Sequence, residues 1–247
     1  MNAQLDELTS GEYGDIDLIW FDLATEPSLT SHAIVPWDRL AKTIRTNQPG
    51  TMMVARFTNN IYENYRTPEQ YIPDHLLDYP WESCITMGKY WSYRPDDEFK
   101  SPEELISMLV KIVGRGGNLL LDVGPTPEGT LPAETYELMH EIGKWMNVNS
   151  EGIYGTRAVL LKGNDKLFCT TKEGHKYVFY VPEDGRNELP SEIFVPELSP
   201  STVSMLGTNG RKLKFKAADG GVSVIIPKSI RDKKPCDHVW CLKIDEK

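Results

Sequence analysis

Ile16-Asp17-Leu18-Ile19-Trp20-Phe21-Asp22 is a short apolar run that stops on an acid, with Gly14 before it and Pro27 after it. A run of this length between breakers fits a buried parallel strand. An acid at the carboxyl end of such a strand sits where α/β folds assemble their sites. A polar strand end that only caps the next helix is the simpler reading of Asp22 taken alone. The sequence on either side decides between the two.

Before the run, Leu5 and Leu8 mark the last turn of an amphipathic helix closed by Gly11 and Gly14. After it, a Pro- and Ser-bearing loop leads to a helix from about Asp38 to Thr46 that buries Leu40, Ala41 and Ile44. Pro49-Gly50 ends that helix, and a second strand runs from Thr51 to Arg56. Phe57 to Trp81 is too long and aperiodic for a mere connector and reads as a functional loop. Ser83–Met87 is a weak third strand, and the aromatic loop from Gly88 to Lys100 follows. Ser101-Pro102-Glu103-Glu104 then supplies an N-cap, a proline at the first helical position and a capping-box glutamate. The buried stripe expected on that helix is Leu105, Met108, Leu109 and Ile112. Asn118–Val123 reads as a near-continuous apolar fourth strand, Gly124–Gly129 as a rigid turn. Pro132 opens a helix to about Val148 with Leu138, Ile142 and Trp145 inside.

Strands alternating with helices imply a parallel sheet with helices on its faces. Near Tyr154 the character changes. Eight short strand signals follow, at Ala158–Leu161, Leu167–Thr171, Tyr177–Val181, Ile193–Val195, Val203–Leu206, Leu213–Phe215, Val222–Ile226 and Val239–Lys243. Turns such as Glu173-Gly174, Asn209-Gly210 and Asp219-Gly220 separate them, the pattern of an antiparallel β-sandwich. The expected division is an α/β part over 1–153 and a sandwich over 154–247.

The net charge of −9 argues against a nucleic-acid surface, because phosphate binding wants clustered Lys and Arg. The one dense basic run, Lys228–Lys234, reads as a solvated loop. No window approaches the roughly 18 apolar residues of a membrane span. The N-terminus shows no signal-peptide pattern and so gives no compartment. The cysteines, Cys84, Cys169, Cys236 and Cys241, suggest no disulfide framework. Cys236, His238 and Cys241 give no metal reading, since on a strand Cys236 and Cys241 point to opposite faces. No cofactor is expected.

Acids and aromatics gather at the strand ends and in the loops after them: Trp20, Asp22, Arg56, Glu69, Trp81, Glu82, Trp91 and Asp122. A sugar site needs such a set, with rings that stack on apolar C–H faces, charged groups for hydroxyls and two carboxyls for acid/base and nucleophilic work. Trp20-Phe21-Asp22, Tyr65-Arg66-Thr67-Pro68-Glu69-Gln70, Pro80-Trp81-Glu82-Ser83-Cys84 and Trp91-Ser92-Tyr93 come in the order seen in α-L-fucosidases. So do Gly116-Gly117-Asn118-Leu119-Leu120-Leu121-Asp122-Val123-Gly124-Pro125-Thr126 and Asn149–Thr156. On these motifs the whole chain resembles the retaining exo-fucosidases of glycoside hydrolase family 29.

The resemblance implies a nucleophile at Asp22 that forms a covalent fucosyl-enzyme, with Trp20 and Trp91 binding the sugar and Arg56 either contacting it or orienting the nucleophile's surroundings. It makes Glu69 the favoured acid/base and Glu82 the alternative. Glu69 is preferred because a carboxyl in a mobile, aromatic-rich loop can be desolvated and its pKa raised, as an acid requires. Two positions depart from the family pattern: Leu23-Ala24 follows the nucleophile in place of glycine, and Val54-Ala55 precedes Arg56 in place of Asn-Asp.

The family's catalytic domain is a (β/α)8 barrel, which takes eight strands and about 250 residues. Only four barrel-type strands are legible here, so the expected fold is a partial (β/α)8 barrel followed by an antiparallel β-sandwich, with the N-terminal half of the barrel absent. The expected partners are a fucosylated glycan and either the missing half barrel or a second copy of the chain. Little or no activity is expected of the chain alone. The alternative is a non-catalytic, degenerate carbohydrate-binding or assembly module. A doubly wound nucleotide-binding sheet is disfavoured, because no glycine-rich phosphate loop follows a strand. Members of the family are usually secreted, periplasmic or lysosomal.

Overall fold

The computed structural model describes residues 2–22, 35–56, 61–163, 165–183 and 186–246. They form two compact units, Met1–Pro68 with Asp78–Glu82, and Glu69–Leu77 with Ser83–Lys247. The loop expected after Asp22, the Leu23-Ala24 departure and the first residues of the loop from Phe57 lie outside the described residues.

In the first unit, helix α1 (Asn2–Leu8) leads to strand β1 (Leu18–Phe21), helix α2 (Trp37–Asn47) and strand β2 (Met52–Ala55). β1 and β2 pair in parallel, Leu18 opposite Met52 through Phe21 opposite Ala55. α2 buries Leu40, Ala41 and Ile44, as its apolar spacing dictates, against Leu5, Phe21 and Met53. Trp37 meets Phe21 edge-on with ring centroids 5.4 Å apart. Gln48 sets the entry to β1: its Oε1 accepts from the Ile16 amide at 2.6 Å and its Nε2 donates to the Gly14 carbonyl at 3.1 Å. The strand is less buried than its composition suggests. Phe21 is buried, Ile19 and Trp20 are half-buried and Leu18 is exposed. Among the described residues β1 pairs only with β2, so much of one face and one edge lie open.

In the second unit, strand β3 (Glu82–Thr86, its first residue belonging to the first unit) pairs with β4 (Asn118–Asp122). Helix α3 (Pro102–Gly114) begins with the predicted capping box, Ser101 Oγ accepting from the Glu104 amide while Glu104 accepts from the Ser101 amide. Its buried face differs from the expected stripe. Leu105, Ile106, Val110 and Ile112 are buried, whereas Met108 and Leu109 are half-buried. The helix serves two cores, Leu105 facing Met87 and Leu138, and Ile106 and Val110 facing Phe168, Tyr177 and Phe179. A single-partner stripe cannot describe a helix packed on two sides. Helix α4 (Ala133–Asn149) buries Leu138 and Trp145, with Ile142 only half-buried. β4 likewise falls short of the buried strand expected, with Leu120 exposed.

The sandwich contains all eight predicted strands: β5 (Arg157–Val159), β6 (Leu167–Lys172), β7 (His175–Tyr180), β8 (Glu192–Pro196), β9 (Pro200–Met205), β10 (Lys214–Ala218), β11 (Gly221–Ile225) and β12 (Trp240–Glu246). One sheet has the order β5-β6-β7-β12-β9 and the other β10-β11-β8. Val178, Leu242 and Ile244 of the larger sheet and Ile193, Val195 and Val224 of the smaller share one core. The alternate residues Phe168, Tyr177, Phe179 and Cys241 face away from it and pack on Ile106, Val110 and Trp145. The larger sheet is therefore buried on both faces. Gly114, at the end of α3, allows the close approach, since a Cβ there would sit 2.6 Å from the Phe168 Cβ.

Two sequence expectations change here. Lys228–Arg231 is a short helix, α5, which turns Ile230 inward, rather than a solvated loop. Cys236 lies in a bend, not on a strand, and joins the same core as Cys241 rather than an opposite face. All four cysteines are free thiols, and burial pushes Cys169 up to about 12 and Cys236 up to about 11.

Glu151, in the 3-10 turn Ser150–Gly152 that follows α4, accepts from Lys243 Nζ at 2.5 Å and from the Tyr177 hydroxyl at 2.8 Å. Lys243 above all holds its carboxyl below the ordinary value. A carboxylate with a depressed folded-state pKa stabilises the fold above the unfolded value of about 4.3, and that stability goes as pH falls through the folded pKa. Glu151→Gln is therefore expected to lower the melting temperature at pH 7 and to leave it nearly unchanged at pH 3. The loss is about 1 kcal/mol or less, because the pair is half exposed. Calorimetry at the two pH values checks this, and an equal drop at both would show that the Glu151 charge contributes nothing.

Candidate active site

The register of β1 and β2 builds the first part of the site. Phe21 lies opposite Ala55 in a parallel pair, so the next residues, Asp22 and Arg56, leave neighbouring strands side by side at their carboxyl ends. Arg56 Nη1 donates to Asp22 Oδ1 at 2.7 Å, with the arginine side chain 6% exposed and the aspartate 66%. Trp20 shares the face of Asp22, two residues back along the strand. The Arg56 guanidinium lies over its ring, 4.7 Å from the centroid. Trp20, Asp22 and Arg56 thus form one cluster, as their strand-end positions predict. The Trp20 Nε1 is buried with no hydrogen-bond partner among the described residues. At the departure before Arg56, Val54 and Ala55 are fully buried.

Glu82 is reached by a different route. The Arg66 amide donates to the Pro80 carbonyl at 3.1 Å and the Glu82 amide to the Arg66 carbonyl at 2.9 Å, which lays residues 65–67 alongside 80–82. Trp81 is buried, and Glu82 is half-buried with its Oε1 3.3 Å from the Tyr65 hydroxyl. Burial pushes the Glu82 carboxyl above its ordinary value, and the Tyr65 hydroxyl draws it part of the way back. Nothing in the sequence marks Tyr65 as a partner of Glu82, because the contact depends on where two loop segments meet.

In the second unit, Glu69 forms an isolated parallel bridge with Cys84 of β3. The residue after it is clasped: the Gln70 amide donates to the Cys84 carbonyl at 2.9 Å and Gln70 Nε2 to Thr86 Oγ1 at 2.9 Å. Ser83 Oγ donates to the Tyr71 carbonyl at 2.7 Å. Glu69 therefore stands on a short segment held along β3, rather than in the mobile loop expected for it. Trp91, 41% exposed, sits in the loop 88–100. Lys100 Nζ pins the stem of that loop by donating to the Thr86 and Gly88 carbonyls at 2.7 and 2.9 Å. Gly124 receives the loop's far side, where any Cβ would collide with the Tyr93 amide. Asp122, at the end of β4, has a buried Oδ2 without a partner among the described residues, and burial raises its pKa.

Among the described residues no group of His, Cys, Asp or Glu is arranged to hold a metal ion. No described helix is long and apolar enough to cross a membrane. The arrangement can therefore offer sugar hydroxyls a salt-bridged carboxylate beside a half-buried tryptophan in the first unit. It also supplies a carboxyl of raised pKa and, separately, a carboxylate on a clasped segment.

Comparison with known proteins gives this chemistry a family. The sequence profile described as alpha-L-fucosidase matches residues 1–151, and that of the alpha-L-fucosidase C-terminal domain matches residues 164–245. Plasma alpha-L-fucosidase of Rattus norvegicus is 32% identical over 192 residues, covering 73% of this chain and 41% of its own length. Tissue alpha-L-fucosidase of Homo sapiens is 30% identical over 189 residues, covering 73% and 40%. The chain thus spans about two fifths of the length of the curated relatives it matches. Among solved structures, alpha-L-fucosidase isoenzyme 1 from Paenibacillus thiaminolyticus superposes with a TM-score of 0.83 at 26% identity, covering 100% of this chain and 61% of the other. The fold is a partial (β/α)8 barrel followed by an antiparallel β-sandwich. With both profiles matched and the fold shared along its whole length, the chain belongs to the α-L-fucosidase family.

Proposed function

We propose that this chain carries the nucleophile and the acid/base of a retaining α-L-fucosidase that removes terminal α-L-fucose from glycans. In this reading Asp22 attacks the anomeric carbon and forms a covalent fucosyl-enzyme. Arg56 aligns it, and Trp20 and Trp91 bind the sugar. Glu69 protonates the leaving oxygen and then activates water. The catalytic part is 1–153 and the sandwich 154–247. The observation that supports it best is the Trp20–Asp22–Arg56 cluster at the ends of two parallel strands, in the stretch that matches the family.

A barrel needs eight strands and four are described, so the pocket is completed by further barrel strands, supplied as an N-terminal half barrel. A second copy of the chain is the competing source, and mixing experiments separate the two. The chain alone turns over little. Hydrolysis of an aryl α-L-fucoside by the completed enzyme, followed by NMR, tests the reading. α-L-Fucose is expected as the first product, as a double displacement with carboxyls about 5–5.5 Å apart requires. β-L-Fucose as first product would refute retention.

Glu82 remains a second reading for the acid/base, favoured by its half-burial and raised pKa. The leaving group separates the candidates. Loss of the acid costs about 10²–10⁴-fold where the leaving group needs a proton and little where it does not. Glu69→Gln is expected to spare kcat/KM on 2,4-dinitrophenyl fucoside, which reports the fucosylation step alone, and to cripple it on a fucosyl-sugar. The same pattern in Glu82→Gln instead would move the role to Glu82.

A further inference from the structure

We infer that Arg115 is a positioning residue that ties the segment carrying Glu69 to the C-terminal sandwich. The inference rests on the reading of Glu69 as the acid/base and extends it to a residue with no place in that chemistry. Residues 70 and 71 are fastened to β3, as described above. The next described anchor along the segment is at Pro73, whose carbonyl accepts from Arg115 Nη1 at 2.9 Å.

Arg115 is well placed to act as a strut. Its amide caps α3 by donating to the Ile112 carbonyl at 3.1 Å, so its backbone is part of a rigid helix end. Its guanidinium lies over the Phe168 ring of β6, 5.4 Å from the centroid. Phe168 in turn is buried against the helix, where Gly114 admits it. The segment does not pack down tightly on the sandwich here. A crevice of about 100 Å³ lies between them, lined by Asp74, His75, Leu76, Leu160 and Phe168, and Arg115 lies in its wall. Asp74 is engaged by His75 at 2.6 Å, and that contact, more than Arg115, holds the Asp74 carboxyl below its ordinary value. The chemical consequence is specific. An acid/base must hold its carboxyl within hydrogen-bond reach of the leaving oxygen, and a loose segment costs rate only where a proton must be delivered.

Limited proteolysis of the chain itself tests the strut. Tyr71 and Leu76 are exposed and offer chymotrypsin sites in the segment. Cleavage there follows the population of the opened segment. Arg115→Ala is expected to raise cleavage between residues 71 and 77 on the order of tenfold, as befits loss of a hydrogen bond from a charged donor, with the urea midpoint unchanged. Arg115→Lys, which keeps a donor for Pro73, is expected to restore most of the resistance. Unchanged cleavage in Arg115→Ala, or a rise matched by a fall in the urea midpoint, would overturn the assignment. Failure of the lysine to restore resistance would overturn the Pro73 hydrogen bond as its basis. In the completed enzyme Arg115→Ala is expected to lose at least about tenfold more kcat/KM on a fucosyl-sugar than on 2,4-dinitrophenyl fucoside. Equal losses would overturn the link to the acid. Proteolysis reads the segment whether or not turnover occurs, so this inference and the assignment of Glu69 fail separately.

Discussion

Asp22→Ala is expected to remove α-L-fucoside turnover from the completed enzyme by at least about a thousandfold, for both good and poor leaving groups. A double displacement has no first step without its nucleophile, and leaving-group quality cannot replace the missing bond. The substitution is structurally mild. Asp22 lies beyond the last residue of β1 and its side chain is 66% exposed, so no core contact goes with it. It leaves Arg56, buried at 6% exposure, without the carboxylate it now pairs with, which costs some local order but not the fold. Added azide distinguishes a lost nucleophile from a damaged pocket. A small anion can enter the space left by the carboxylate and attack the anomeric carbon directly, which gives β-fucosyl azide from an activated α-fucoside. Retained turnover in Asp22→Ala would remove Asp22 from the mechanism. Lost turnover that azide does not restore would point to the pocket instead.

Trp145→Ala is expected to destabilise the second unit by about 3–5 kcal/mol, the range for emptying a buried aromatic site. Trp145 is 2% exposed, in the middle of α4, and packs on Phe179 at a centroid distance of 6.1 Å. Its Nε1 donates to the Val239 carbonyl at 2.8 Å, ninety-four residues on. The substitution therefore opens a cavity and also strips a buried carbonyl of its donor. Domains of this size are stable by about 5–15 kcal/mol, so a loss of this order brings the unit near its limit. Urea unfolding followed by near-ultraviolet circular dichroism reads the change. Trp145→Phe, which keeps most of the volume but not the donor, should fall between wild type and alanine. A midpoint within experimental error of wild type in Trp145→Ala would show that helix and sheet are not energetically joined there.

Much of this architecture is legible because it rests on local rules. The capping box at Ser101 and the spacing of Leu40, Ala41 and Ile44 act within a few residues, and each appears where predicted. The eight sandwich strands follow from alternation and turn dipeptides. Asp22, Arg56 and Trp20 come together because parallel register carries strand-end residues of adjacent strands to the same place. What proved illegible depends on which surfaces meet. Tyr177 and Phe179 read as one half of an ordinary sandwich strand, yet they face helices rather than solvent. The apolar run Val239-Trp240-Cys241-Leu242 carries that information, because a strand buried on one face alternates and one buried on both does not. The shifted face of α3 has the same origin.

The identity of the chain's family, the nature of its strands and helices and the meeting of Asp22 with Arg56 were thus determined by the sequence alone, through short-range propensity and strand register. The open face of β1, the contact of Tyr65 with Glu82, the double burial of the larger sheet and the reach of Arg115 to Pro73 were decided by the tertiary structure. These depend on segments far apart in the chain that carry no mutual periodicity, so only packing brings them into contact.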